Sequence, residues 1–302
     1  MRGESLSDRL SGRVDSDPEK HLLRGGNRGE TRDDSTEKHT AGSQPAPRVE
    51  RIIGSLSDLD VQVIDVLALI RMASGNQLNR LFWPMTPAGA RAARRHLKRL
   101  TDLRVLTRLH RQVGGIKGGS QGYTYALDVN GQRIAQSLHH NTIRRPTPSD
   151  FFVDHTLAVT ETYVVLRTTP AIELLKFQPE PSCWRHYTGL AGRTVTLRPD
   201  GFASWVTAEW ELSAFLEIDR ATEHPGRISR KADQYVRYWR TGEEQRRNDV
   251  FPTVLWLAST TRRAEVLRTV LEGHEAAALC TVISDQQLAD FITNTTREEG
   301  HP

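Results

Sequence analysis

Between Thr194 and Tyr238 the chain sets three carboxylates at the ends of two apolar, strand-like runs, and a lysine on the basic helix that follows. Asp200 follows Pro199 after the run Thr194–Leu197. Glu217 and Asp219 close the run Phe215-Leu216-Glu217-Ile218-Asp219. Lys231 lies on a basic segment that also carries Tyr235 and Tyr238. Carboxylates carried to one sheet edge by adjacent strands are a donor set with which proteins hold Mg²⁺ against a phosphate. In such a site Asp200 and Glu217 would hold the ion, with Asp219 as a further ligand. Lys231 would orient the attacking water or stabilise the developing charge. Arg227 and Arg230 would grip flanking phosphates, since a guanidinium suits bidentate contact. The same residues admit an inert reading. There Asp200 caps a turn, Glu217 and Asp219 pair with Arg220 or Lys231, and the tyrosines pack on the sheet.

Two other chemistries fit less well. Tyr235 or Tyr238 as a covalent nucleophile on DNA needs a histidine cluster to bind a metal, and His139-His140 in a linker region is not one. Cys183 and His186 are three apart, but no second Cys/His pair completes a zinc site, so they read as structural. His155 lies on or near the apolar side of its helix, where a lone histidine reads as a hydrogen-bonded core residue.

The elements that must position these residues follow from periodicity. Phe152, His155, Leu157, Val159, Thr162, Val165 and Leu166 mark a helix over 151–168. Strands are expected at Ile172–Phe177, at Thr194–Leu197 with a continuation at Phe202–Trp205, and at Leu212–Ile218. A helix at Arg227–Arg240, a strand at Phe251–Ala258, a helix at Thr261–Leu271 and a strand at Ala278–Ile283 complete the series. A three-strand meander followed by a β-α-β crossover makes a mixed sheet with helices on both faces, an α+β or α/β domain.

The preceding hundred residues differ in charge. Residues 51–150 carry 15 Lys and Arg against 6 Asp and Glu, whereas 151–302 carry 17 against 21 and 1–50 carry 9 against 10. A basic block beside an acidic one points to a polyanionic partner for the first. Ser57 or Asp58 caps a helix with Leu59, Val63, Val66, Leu67 and Ile70 on one side; Ser74-Gly75-Asn76 breaks it; Gln77–Phe82 is a short second helix. Thr86 caps a third, with Pro87 at its first position. Ala93, Leu97, Leu100 and Leu103 line one side of it, and Arg91, Arg94, Arg95, Lys98 and Arg99 supply its charge. Arg91, Arg95 and Lys98 fall in one narrow sector. A hairpin follows, Val105–Val113 and Tyr123–Leu127, with a glycine-rich tip bearing Lys117, and then a closing helix after Gly131. This is the layout of a winged helix-turn-helix. Its third helix would enter the major groove of double-stranded DNA, and Lys117 would meet the backbone or minor groove.

The expected organisation is a disordered tail (1–50), a winged helix (51–140), a linker (141–150), a nuclease-like domain (151–290) and a C-terminal tail (291–302). The tail's only apolar cluster is Leu22-Leu23. Hydrophobic residues make up 37% of the chain and mean hydropathy is −0.52, low for one compact globule, which fits an unfolded portion. No apolar run approaches the ~20 residues of a membrane span. The polar start offers no signal peptide, and two distant cysteines fit a reduced, cytoplasmic protein.

The order of elements in the second domain resembles the restriction-endonuclease-like core, whose signature is Pro-Asp on one strand and Asp/Glu-x-Lys on the next. Pro199-Asp200 matches the first part. Glu217-Ile218-Asp219 matches the second except at its last position, where Asp219 stands for lysine and Lys231 would substitute from the following helix. From Leu56 to Ile283 the chain resembles the replication-relaxation family of plasmids and integrative elements. That resemblance rests on the winged helix, His155, Pro199-Asp200, the run Phe215–Thr222, and Lys231 with Tyr235 and Tyr238. It implies a DNA-binding protein of plasmid or mobile-element replication, relaxation or mobilisation, with plasmid replication or transfer proteins as partners. Three functions stay open: a non-catalytic DNA-binding protein, a Mg²⁺-dependent endonuclease or nickase, and a winged-helix transcriptional regulator.

Overall fold

A computed structural model of the chain describes residues 47–109, 122–139, 150–189, 192–221 and 224–294. It is a mixed α+β structure with a mixed five-stranded sheet and several helices. The expected hairpin tip with Lys117, the linker 141–149 and the N-terminal 46 residues lie outside the described residues.

The N-terminal part begins with α1 (Pro47–Ile53) and α2 (Asp58–Ile70). Val49, assigned by composition to the tail, is buried against this part. Ser57 caps α2 through a capping box with Asp60, and Val63, Ile64, Leu67 and Ile70 are buried on one face. Next comes a strand that periodicity does not reveal, β1 (Met72–Ser74), too short to show alternation. Ser74 then caps α3 (Gly75–Phe82) by a second capping box with Gln77, so Ser74-Gly75-Asn76 is both a break and a helix start. The basic helix α4 (Pro87–Asp102) is capped by Thr86, with Pro87 in its first turn and Ala93, Leu97 and Leu100 buried. Strands β2 (Leu106–Leu109) and β3 (Thr124–Leu127) are antiparallel, and β1 adds to β3, giving the order β1-β3-β2. Helix α5 (Val129–His139) follows. Asp60, fully buried, ties α2 to α4 through Arg99.

Helix α6 (Asp150–Thr168) belongs to both parts. On one side the Thr160 hydroxyl donates to the Met72 carbonyl of β1 at 2.8 Å, and Glu161 takes Arg80 and Gln77 of α3. On the other side Tyr163 meets Phe177 edge-on, and Val164 and Leu166 join the sheet core. With both sides packed, the helix shows little amphipathic contrast in its sequence. One apolar core runs from Val63 and Leu67 through Val164 to Leu216 and Leu257.

The five-stranded sheet has the order β10 (Cys280–Ser284), β9 (Thr253–Ala258), β8 (Glu211–Asp219), β7 (Gly201–Val206), β4 (Glu173–Pro179). Strands β4 (Glu173–Pro179), β7 (Gly201–Val206) and β8 (Glu211–Asp219) form an antiparallel meander. Strands β9 (Thr253–Ala258) and β10 (Cys280–Ser284) run parallel to β8. Helices α7 (Pro225–Trp239) and α9 (Thr261–Glu272) are the crossovers, with the short α8 (Glu243–Asn248) after α7. The sheet's alternation splits the core: Leu216 and Leu255 face α6, while Phe215 and Trp256 face α7 and α9.

Two expectations need correction. Thr194–Leu197 is not the middle strand of the meander. It is β6, which among the described residues pairs only with β5 (Arg185–Thr188), in a separate two-stranded ribbon. Arg198, Pro199 and Asp200 form the passage from that ribbon into the sheet, so Asp200 stands before a strand rather than at the end of one. Residues 291–294, read as the start of a tail, close α10 (Leu288–Asn294), which buries Ile292 in the α6 core.

Helix α4 is seated by a close approach. A Cβ on Gly89 would lie 2.0 Å from the Pro84 carbonyl oxygen, which already accepts the Thr86 N–H. Gly89→Ala should destabilise the protein by about 1–3 kcal/mol in urea unfolding, because neither the carbonyl nor the helix can move without breaking the cap.

Candidate functional site

The turn leading into β7 presents Asp200, and several contacts fix it. The Cys183 thiol donates to the Pro199 carbonyl at 3.1 Å, and the Glu180 N–H donates to the Asp200 carbonyl at 3.2 Å. The Asp200 N–H donates to the Leu216 carbonyl at 3.0 Å. Its carboxylate then accepts the Ile218 N–H at 2.7 Å, extending the β7–β8 ladder by a side chain. Its other oxygen lies 3.4 Å from His155 Nε2 on α6.

Glu217 projects from β8 toward α7 and is 4% exposed. Lys231 Nζ lies 3.0 Å from Glu217 Oε2 and donates to the Arg198 carbonyl at 2.8 Å. Tyr235, one turn further along α7, donates its hydroxyl to Glu217 Oε1. Asp200, Glu217, Lys231, Tyr235 and His155 thus converge from a turn, a strand and two helices.

The electrostatics separate the two carboxyls. Burial, reinforced by the nearby Asp200, pushes Glu217 up to about 8, against the pull of Lys231 and Tyr235. Burial also works against ionised Asp200, but His155, Lys231 and the Ile218 N–H outweigh it and hold that carboxyl below its usual range. Burial opposes the His155 imidazolium, yet Asp200, Glu180 and Glu217 together raise it above the usual histidine value. Tyr235 is held well above its ordinary value by burial and by Glu217. Tyr238 is likewise raised by burial, then by Glu244, which accepts its hydroxyl at 2.8 Å. Both phenols donate their hydroxyls to a buried carboxyl, Tyr235 to Glu217 and Tyr238 to Glu244.

Asp219 stands apart from this cluster. Its two oxygens accept Nε and Nη2 of Arg263 on α9, each at 2.8 Å, and Oδ1 also accepts the Ala221 N–H at 2.6 Å. The third carboxylate of the expected metal set is consumed in a bidentate ion pair. Arg263 lies 44 residues beyond Asp219, so only the fold reveals it as the partner. Among the described residues no group of three His, Cys, Asp or Glu side chains is placed to hold a metal. Each oxygen of Asp200 and Glu217 already faces an N–H, O–H or ammonium donor. This donor set, as arranged, does not fit a magnesium ion.

On the basic helix Arg91, Arg94, Arg95 and Lys98 are exposed, opposite Ala93, Leu97 and Leu100. Lys98 pairs with Asp102 at 2.7 Å in an exposed i,i+4 contact. Arg99, expected on the DNA side, instead serves the buried Asp60. Arg227 and Arg230 are exposed on the first turns of α7, just ahead of Lys231. Two participants were not assigned to the site from sequence. His155 read as a core residue because Asp200 is 45 positions away. Tyr235 read as sheet packing, although its i+4 spacing from Lys231 was visible.

Fold and site define a two-part α+β protein in which a basic helical part is joined by one helix to a mixed sheet with an internally paired Asp–Glu–Lys–Tyr–His cluster. The replication-relaxation family model matches residues 64–254, from α2 into β9. The chain belongs to the replication-relaxation family, which points to a role in plasmid or element replication or relaxation. No curated protein and no solved structure matches the chain. Among the described residues no helix is long and apolar enough to cross a membrane.

The raised Glu217 sets a pH dependence. The native state binds its proton between about pH 4.5 and about 8 while the unfolded chain releases it, so this stabilisation is lost as pH rises through that window. His155, also raised, loses its contribution in the same direction. The urea midpoint should fall between pH 6 and 9, and Glu217→Gln should reduce that fall. Identical pH profiles for the two proteins would show that Glu217 ionises normally.

Proposed function

We propose that the protein binds double-stranded DNA in plasmid or mobile-element replication or relaxation, with the N-terminal part acting as a winged helix-turn-helix. The observation that carries this reading is the exposed row Arg91, Arg94, Arg95 and Lys98 on α4, backed by a buried apolar stripe. The element order and the sheet order β1-β3-β2 support it, since they put a hairpin beside the third helix of a three-helix unit. Helix α4 would lie in the major groove, and hairpin β2–β3 would contact the flanking backbone. Each phosphate neutralised by a lysine or arginine releases condensed counterions, so affinity should fall with salt. Arg95→Ala and Lys98→Ala should each lower the slope of log affinity against log salt by about one in a duplex titration. Unchanged slope and affinity in both variants would remove α4 from the interface.

In this reading the five-stranded part is a restriction-endonuclease-like scaffold. Asp219 neutralises Arg263, Asp200 takes the Ile218 N–H and faces His155, and Glu217 meets Lys231 and Tyr235, so these groups hold the fold together. A second reading, a divalent-metal endonuclease or nickase, draws on one observation: Lys231 reaches Glu217 beside Asp200, as a lysine moved from strand to helix would. Magnesium would then have to displace Lys231 or Tyr235 from Glu217, so the scaffold is the better-supported reading. A supercoiled-plasmid assay with Mg²⁺ decides between them. Under the scaffold reading wild type, Asp200→Ala and Glu217→Ala give the same background; nicking by wild type that both variants abolish would establish the nuclease.

A further inference from the structure

The exposed side of α4 is not uniform. Gly89, Ala93, Leu97 and Leu100 form its buried stripe. At about 100° per residue, Arg91 lies within about 20° of the line opposite the midpoint of that stripe, whereas Arg94 lies about 75° to one side. The helix tip ahead of Arg91 is bare. Pro84, Met85, Thr86, Pro87 and Ala88 are all exposed, Met85 at 65%. Between Pro87 and Ala90 no long side chain stands in front of Arg91. The tip is also held in place: Thr86 accepts the Gly89 N–H at 3.1 Å, and Gly89 sits against the Pro84 carbonyl.

The charges further along α4 are committed elsewhere. Arg99 serves the buried Asp60, and Lys98 faces Asp102. Asp102 closes the helix with its side chain 60% exposed. It falls within about 20° of Arg91 around the axis, so the same side of the helix is cationic at its start and carries a carboxylate at its end. Phosphate repels that carboxylate, so the C-terminal end of α4 stays out of a DNA groove and the bare N-terminal end is the one that enters. Arg91, Arg94 and Arg95 belong to no ion pair among the described residues.

A major groove ~12 Å wide admits a helix, with base edges as its floor and phosphates as its walls. A side chain at the middle of the exposed face and next to the inserted tip reaches the floor. One set to the side, or a turn further along, meets a wall. On the floor a guanidinium fork matches O6 and N7 of guanine, two acceptors side by side. We propose that Arg91 reads one guanine in the major groove, while Arg94 and Arg95 hold flanking phosphates. This rests on the DNA-binding reading above and separates base contact from backbone contact along one helix. The short Pro87 and Ala88 serve the same end, since they let the helix tip approach the bases closely.

Selection of the full chain on a library of random duplexes tests this, with Arg91→Ala and Arg94→Ala beside wild type. Both positions are exposed and alanine favours helix, so both variants fold. Wild type should enrich a motif with a fixed guanine, and Arg91→Ala the same motif with that position randomised. Anisotropy titrations then compare the selected duplex with one in which that G·C pair is replaced by A·T. Wild type should prefer the selected duplex about tenfold, and Arg91→Ala less than about twofold. Arg94→Ala should keep the tenfold preference and lower the salt slope by about one. A guanine preference that survives Arg91→Ala overturns the proposal, as does loss at a base other than guanine or loss caused by Arg94→Ala instead. Wild-type binding without any enriched motif overturns base reading by Arg91 alone; failure to bind duplex at all overturns the DNA-binding reading with it.

Discussion

Helix α6 is packed on two sides, and most of the geometry above depends on that. One side gives Thr160 and Glu161 to β1 and α3, the other gives Tyr163 and Val164 to the sheet. Its first turns carry His155 to Asp200. A helix that serves one core can tilt at modest cost. A helix shared by two cores holds both in register, because interiors packed at crystal-like density do not deform smoothly. The basic helix and the acid cluster are therefore fixed relative to each other by packing, with Arg71 adding a bond to the Glu180 carbonyl at 2.7 Å.

The cluster illustrates what burial does to a motif. Two carboxylates and a lysine at a sheet edge suggest a metal centre while water is assumed to fill the gaps. In the folded protein those gaps hold His155, Tyr235 and Arg263, and each carboxylate oxygen has a donor. Removing one partner from such a network leaves a buried group unmet, whereas the complete set is quiet. The split between a raised Glu217 and a lowered Asp200 follows from position. Glu217 is enclosed between β8 and α7, while Asp200 is the cap on which a backbone N–H, a histidine and a lysine converge.

Much of this was legible in the residues. Capping at Ser57 and Thr86, the basic side of α4, and the succession of helix, meander and crossovers all rest on local rules that the fold did not override. Losses came where partners are distant or elements short. β1 has three residues, too few for a pattern. Thr194–Leu197 has the composition of a sheet strand, and only the pairing with Arg185–Thr188 shows that it belongs to a ribbon. Arg99 shares the spacing of a DNA-facing row, yet a buried aspartate from α2 claims it. Asp219 reads as a ligand until Arg263 is folded against it.

The Asp219–Arg263 pair also bears on the history open to this chain. The position where the restriction-endonuclease pattern has lysine faces a guanidinium whose partner lies on a separate crossover helix. Replacing Asp219 by lysine would set two cations against each other in a site only 3% exposed at the aspartate. A change to lysine at position 219 would have to pass through an unstable intermediate unless Arg263 changed at the same step. Position 219 on β8 is thus constrained by a residue that no short motif contains.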